Sequence, residues 1–409
     1  MQRVVVTGVG AFSPVGNDWP EIESNLRSLK NGVRYIEDWD VYDGLNTRLG
    51  APVPNFELPA SFTRKRIRSM GRVSLLATVA SEKALYDAGL LGDTVLESGR
   101  TGVSYGSSTG STDAILDFAN LVMNKKINGI TATTYIRMMS HTAPVNIGVF
   151  FGLKGRVIPT SCACTSGSQG IGYAFEAIRH GAQDIMIAGG AEEFCATEAA
   201  VFDTLYATST QNDSPELNPR PFDRDRDGLV IGEGACSLIL ERRDHALDRG
   251  ARIYAEIIGF GTNSDGAHVT QPSPATMKRA IELSLEDAEL EPEDIGFISA
   301  HGTATDRGDI AESRATHEIF GNKVPISSLK SYMGHTLGAC GALESWLAIE
   351  MMNQGWFAPT INLDNIDPQC APLDYIQGAG RDLDVEYVMN NNFAFGGINT
   401  SLIFSRHAE

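Results

Sequence analysis

A strand ending in a Gly-x-Gly turn is expected twice in this chain, and the repeat restricts what the chain can fold into. The opening Val4-Val5-Val6-Thr7-Gly8-Val9-Gly10 has a counterpart of the same form in Ile253-Tyr254-Ala255-Glu256-Ile257-Ile258-Gly259-Phe260-Gly261. A charged stretch, residues 241–250, interrupts the apolar pattern just before the second copy. Two similar halves are therefore expected, residues 1–248 and 249–409. The chain's 409 residues fit that division, since a single core stops growing well below this size. Apolar runs at 4–6, 184–188, 237–240, 255–258 and 295–299 predict strands, and 74–88, 170–179, 275–286 and 341–351 predict helices. In the first of these helices Leu76, Val79, Ala80 and Ala84 fall on one face. Alternating strands and helices define an α/β fold with helices covering the sheets.

The formal net charge of −18 argues against nucleic acid as a partner, because phosphate binding needs a basic face. It also makes one local exception informative. Arg64, Lys65, Arg66 and Arg68, with Arg72 a turn later, form a basic island able to steer an acidic macromolecule to one place. Lys125 and Lys126 form a smaller cluster. No apolar run is long enough to span a bilayer, and the first residues hold no secretory signal pattern. The six cysteines lack the spacing of a zinc site or a disulfide framework, which predicts a reducing, cytoplasmic setting and no metal.

Two tempting motifs fail. Gly8-Val9-Gly10-Ala11-Phe12-Ser13 begins like a dinucleotide fingerprint, but Ser13 stands at the third glycine. Gly106-Ser107-Ser108-Thr109-Gly110 matches a hydrolase nucleophile elbow with no Asp/His pairing to support it, and is expected instead to line a pocket. Cys164 carries more weight. It lies between an apolar stretch and a helix, where unpaired N–H groups and the helix dipole favour a thiolate nucleophile. His301 ends a strand before Gly302, and Lys330 precedes a second such histidine, His335. Glu344, nine residues further on, could pair with Lys330.

Taken in order, these motifs resemble the β-ketoacyl-[acyl-carrier-protein] synthases of the condensing-enzyme, thiolase-like superfamily. The likeness covers Cys162-Ala163-Cys164-Thr165-Ser166-Gly167, then His301-Gly302-Thr303-Ala304-Thr305 with Gly308-Asp309. It continues through Lys330, Gly334-His335, Gly338-Ala339 and Gly341, and ends at Phe393-Ala394-Phe395-Gly396-Gly397-Ile398-Asn399. The resemblance implies a five-layered αβαβα fold built from two similar halves. It implies an acyltransferase that joins malonyl-ACP, with loss of carbon dioxide, to an acyl chain held on Cys164. The amides of Cys164 and Phe395 would form the oxyanion hole, and Phe395 would also gate the acyl pocket. His301 and His335 would stabilise the enolate, with Lys330 and Glu344 in support. Thr303, Thr305 and Thr270 would contact the pantetheine arm, while Ser108 and Met138 would line the acyl pocket. The basic residues Arg64, Lys65, Arg66 and Arg68, with Lys125 and Lys126, would dock acyl carrier protein. No cofactor is implied beyond the carrier's phosphopantetheine, since decarboxylation itself generates the carbanion.

Three positions depart from the housekeeping pattern: Asp306 replaces a proline, Leu229 an aromatic residue and Ala394 a glycine. They predict a specialised chain, such as a polyene or polyketide, in place of general fatty-acid elongation. The partner is expected to be a second copy or a homologous chain-length partner. A non-catalytic role conflicts with the presence of Cys164, His301 and His335. A CoA-dependent thiolase would need a second cysteine where Phe395 and Asn399 stand.

Overall fold

The computed structural model describes residues 1–407. Among them, one hydrogen-bonded run of strands passes through the molecule in the order Asp374–Tyr375, Pro325–Ser327, Ile295–Ser299, Tyr387–Ala394, Ile398–Arg406, Ala255–Ser264, Val4–Phe12, Gly234–Arg242, Ile185–Glu192, Thr101–Gly106 and Val157–Pro159. Within this run, the strands of the first half and of the second join where Val4–Val6 pair with Ala255–Ile257. Helices Arg72–Asp87 and Thr142–Phe151 cover the outer face of the first set of strands. Helices Pro274–Ala288 and Asp306–Phe320 cover the outer face of the second. Between the two sets lie helices Ser166–Arg179 and Cys340–Gln354, packed on each other. This is the five-layered αβαβα arrangement, with a hydrophobic core at each outer interface and a larger one around the central helices.

Position in the layers explains sequence character. Residues Cys340–Met352 are buried on every side, as a helix between two sheets must be. Helix Pro274–Ala288 buries Met277, Ala280, Ile281, Ser284 and Leu285 and turns its remaining face to water.

The paired Gly-x-Gly sequences are not turns. Gly8 and Gly10 lie inside strand Val4–Phe12, and Gly259 and Gly261 inside strand Ala255–Ser264. A Cβ on Gly10 would stand 2.1 Å from the Ala80 carbonyl oxygen, and one on Gly261 would stand 2.1 Å from that of Ala280. The glycines let each outer helix settle directly onto its strand. Ser81 then reaches Ser237 at 3.0 Å in the first half, and Ser284 reaches Ser401 at 2.8 Å in the second. The repeat in the sequence is thus a repeat of helix-on-strand contact, remote from any phosphate-binding role. Among the described residues, no helix is long and apolar enough to cross a membrane.

A Gly261→Val substitution should force the helix at Ala280 off its strand and destabilise the protein by roughly 2–4 kcal/mol. Urea unfolding measures this, and an unchanged midpoint would contradict the packing role.

Candidate active site

Cys164 occupies a 3-10 turn, Ala163–Thr165, that runs into helix Ser166–Arg179. The turn begins with Ala163 at φ +50°, a strained left-handed conformation for a residue with a Cβ. The second central helix starts the same way, with Leu337 at φ +43° before the 3-10 turn leads into Cys340–Gln354. The two starts touch. A Cβ on Gly167 would lie 2.8 Å from the Ala342 nitrogen, and one on Gly341 would lie 2.6 Å from the Ser168 nitrogen. Only hydrogen fits between them, and the contact brings the loop of His335 up to Cys164.

His335 Nε2 stands 3.0 Å from the Cys164 sulfur. The Leu337 amide donates to His335 Nδ1 at 3.3 Å, which leaves the proton of a neutral ring on Nε2. His335 therefore presents N–H to the sulfur. His301 is arranged alike, with the Asn392 side-chain amide 3.4 Å from its Nδ1. The two imidazoles meet edge to face, with ring centroids 5.1 Å apart. Burial, reinforced by the charge on Lys330, holds both histidines well below the usual imidazole range. Both are neutral donors at physiological pH.

Lys330 and Glu344 form a fully buried ion pair behind the histidines. Burial opposes the Lys330 charge, but Cys340 and Glu344 outweigh it and raise the ammonium above its usual range. Asn392 ties the assembly together by donating to Glu344 at 2.7 Å while facing His301. Glu312 accepts the amides of His301 and Gly302, each at 2.7 Å, and fixes the strand end on which His301 sits. Asp309 does the same for Thr303 and Ala304, at 3.0 and 3.1 Å. Three of these groups, Asn392, Glu312 and Cys340, are absent from the sequence expectations. The run Asn390-Asn391-Asn392 in an otherwise apolar strand is the one sequence signal that could have revealed Asn392.

The thiolate expectation requires correction. Cys164 is only 4 % exposed, and burial pushes its thiol up to about 12. The Lys330 charge and the backbone N–H groups of Phe395 and Cys164 pull the other way without overcoming burial. The resting sulfur is a protonated thiol whose ionised form has donors waiting for it.

A cavity of about 470 Å³ opens from this point to the surface. Cys164, His301, His335, Phe395, Thr270, Thr303 and Thr305 line it, and the Thr303 and Thr305 hydroxyls are 2.9 Å apart. Leu229, Ala394 and Asp306, the three departures from the common pattern, line it as well. Asp306 also opens helix Asp306–Phe320 and sits 3.5 Å from Arg226. Ser108 and Met138 lie elsewhere: neither lines this cavity. The Ser108 amide donates to Glu192 at 2.8 Å, and the Met138 backbone packs against Gly110. Of the basic island, Arg64, Lys65, Arg66 and Arg68 are exposed. Arg66 lies over the Phe150 ring at 3.6 Å and donates to the Phe150 carbonyl, and Arg72 pairs with the buried Glu233. Lys125 and Lys126 are exposed at the end of helix Thr112–Asn124.

A thiol, two neutral imidazole donors and backbone amides converging in one cavity of a thiolase-type fold define an enzyme that handles acyl thioesters. The family models Beta-ketoacyl synthase, N-terminal domain, and Beta-ketoacyl synthase, C-terminal domain, match residues 1–246 and 254–364. The chain belongs to the β-ketoacyl synthase family, whose members are condensing acyltransferases. It is 36% identical over 418 residues to 3-oxoacyl-[acyl-carrier-protein] synthase 2 of Synechocystis sp., covering 99% of this chain and 98% of that protein. The crystal structure of a Beta-ketoacyl synthase from Burkholderia phymatum superposes with TM-score 0.99 at 58% identity, covering 100% of each chain. The ishigamide ketosynthase/chain length factor superposes with TM-score 0.90 at 33% identity, again over 100% of each.

Because the thiol is neutral at rest, alkylation of Cys164 by iodoacetamide should accelerate continuously from pH 6 to about pH 9.5, following the thiolate fraction. Peptide mapping of the modified cysteine measures this. A rate that levels off below about pH 8 would show a preformed thiolate instead.

Proposed function

We propose that the chain is the catalytic member of a ketosynthase acting on a specialised acyl chain. The observation that carries this is the placement of His335 Nε2 and the Phe395 amide on the Cys164 sulfur. In the first stage the Cys164 sulfur attacks the thioester carbonyl of an acyl chain on carrier protein. A sulfur–carbon bond forms, the pantetheine sulfur leaves, and the proton lost by Cys164 goes with it. The amides of Cys164 and Phe395 hold the oxyanion, and removing one such donor typically costs on the order of 3 kcal/mol of barrier.

In the second stage malonyl carrier protein enters. Its carbon–carboxylate bond breaks, carbon dioxide departs, and the electron pair forms an enolate on the thioester. The Nε2–H groups of His301 and His335 donate to that developing oxygen, a task for which neutral rings are suited. The carbanion then attacks the Cys164 thioester, a carbon–carbon bond forms, and the Cys164 thiolate leaves beneath the same donors. Lys330, held by Glu344, which Asn392 in turn anchors, supplies positive charge at both stages. Thr270, Thr303 and Thr305 guide the pantetheine arm. No metal or organic cofactor takes part in either step.

Arg64, Lys65, Arg66 and Arg68 form the docking face for the acidic carrier protein, with Lys125 and Lys126 contributing from helix Thr112–Asn124. The division of the chain near residue 248 follows the charged stretch between the two halves, which forms the short helix Arg243–Asp248. A homologous subunit covers the apolar band formed by Leu116, Val122, Met123, Tyr135, Val149 and Val157, the last on the unpaired edge strand Val157–Pro159. Either a second copy or a chain-length partner fits such a band. The likeness to the ishigamide ketosynthase/chain length factor supports the latter. Six unpaired thiols are consistent with a cytoplasmic setting.

Leu229 and Ala394 support the specialised-chain reading, because both line the cavity and both differ from the housekeeping residues. The test is to supply saturated and polyunsaturated acyl carrier proteins together with malonyl carrier protein and weigh the products. Faster formation of the polyunsaturated β-ketoacyl product is expected, and a clear preference for saturated chains would contradict it.

A further inference from the structure

Two buried carboxyl groups beside the nucleophile have no ion-pair partner among the described residues. Glu192 is fully buried at the end of strand Ile185–Glu192, and Glu198 is 7 % exposed on helix Ala196–Asp203. One oxygen of Glu192 accepts the amides of Ser108 and Gly338, at 2.8 and 2.9 Å. Its other oxygen and both oxygens of Glu198 have no hydrogen-bond partner among the described residues, and the two carboxyls face each other. Two facing carboxyls without donors can satisfy one another only by sharing a proton. Burial pushes Glu192 up to about 7 and Glu198, next to the Glu192 charge, well above the carboxylate range. The other titratable groups facing the pair are Cys195 and Glu193, and Cys164 faces Glu192. Glu193 is engaged separately by Ser111 and Thr112. None of these supplies a positive charge.

The helix that carries Glu198 is a wall of the active site. Glu198 and Phe202, four residues apart, lie on one helical face. The Phe202 ring packs on that of Phe395, with centroids 4.9 Å apart, and the Phe395 amide reaches the Cys164 sulfur. At its far end the helix is tied down by Asp203, which accepts the amides of Asn46 and Thr47 at 2.9 and 3.1 Å. At its near end, a proton shared with Glu192 would be the corresponding tie.

We infer that Glu198 is a positioning residue, holding the helix of Phe202, and through it the Phe395 amide, in register with Cys164 by sharing a proton with Glu192. The inference rests on the assignment of Phe395 to the oxyanion site. A carboxyl whose range is raised by folding keeps its stabilising effect at low pH and loses it as pH rises through the raised value. Removing the shared proton sets two buried anions against each other. The helix then shifts, and acyl transfer suffers.

The test is single-turnover acylation of Cys164 by octanoyl-pantetheine, followed by intact mass from pH 6 to 9, in the parent, E198Q and E198L. Glutamine can donate to Glu192 but cannot ionise. E198Q should match the parent at pH 6 and exceed it increasingly toward pH 9, while E198L should be slower by about tenfold throughout. An E198Q-to-parent ratio that stays constant with pH overturns the inference, whatever E198L does. Failure of the parent itself to be acylated would instead strike at the proposed function.

Discussion

The site depends on a single steric fact: the two central helices begin in contact with each other. Gly167 and Gly341 leave no room for a Cβ, and a Cβ on Gly190 would stand 2.1 Å from the Gly338 carbonyl oxygen. Cys164 and His335, 171 residues apart in sequence, become neighbours because two short turns of the same shape meet there. Each turn is entered through a left-handed residue, Ala163 or Leu337, and such strain persists only where the surroundings enforce it. The outer layers, with their own glycine-cushioned contacts, hold the two sheets in place around this junction.

Burial then sets the chemistry. Buried at the inner end of the cavity, the thiol resists ionisation and the imidazoles resist protonation, so the groups that meet the substrate, Cys164, His301 and His335, are neutral at rest. Negative charge appears only during reaction, on the oxyanion, the enolate and the departing thiolate. Each of these forms among N–H groups already aimed at it, which is how preorganised donors act most strongly. Glu312, Asp309 and Asn392 keep the loops of that donor set rigid by accepting or donating bonds that water would otherwise take.

Much of this was legible in the chain. The helix at 74–88 and the strand at 295–299 were readable from apolar periodicity, because each buries one face or lies within a sheet. Cys164, His301, Lys330 and His335 were readable because each sits in a small-residue loop at the end of an apolar segment. The Gly-x-Gly pairs were misread as turns, since a glycine pair looks the same whether the chain bends or a helix presses on it. The ionisation state of Cys164 was misread because helix position is visible in sequence and depth of burial is not. Asn392, Glu312 and the Glu192–Glu198 pair were missed because their partners lie on other elements. Ser108 and Met138 were expected in the substrate cavity, yet they lie apart from it.

The account turns on neutral histidines that donate from Nε2. Nitrogen-15 NMR of the imidazole rings, assigned with His301 and His335 variants, observes this directly. It should show protonated Nε2 and unprotonated Nδ1 on both rings, unchanged between pH 6 and 9. A ring that titrates in that interval, or one that carries its proton on Nδ1, would contradict it.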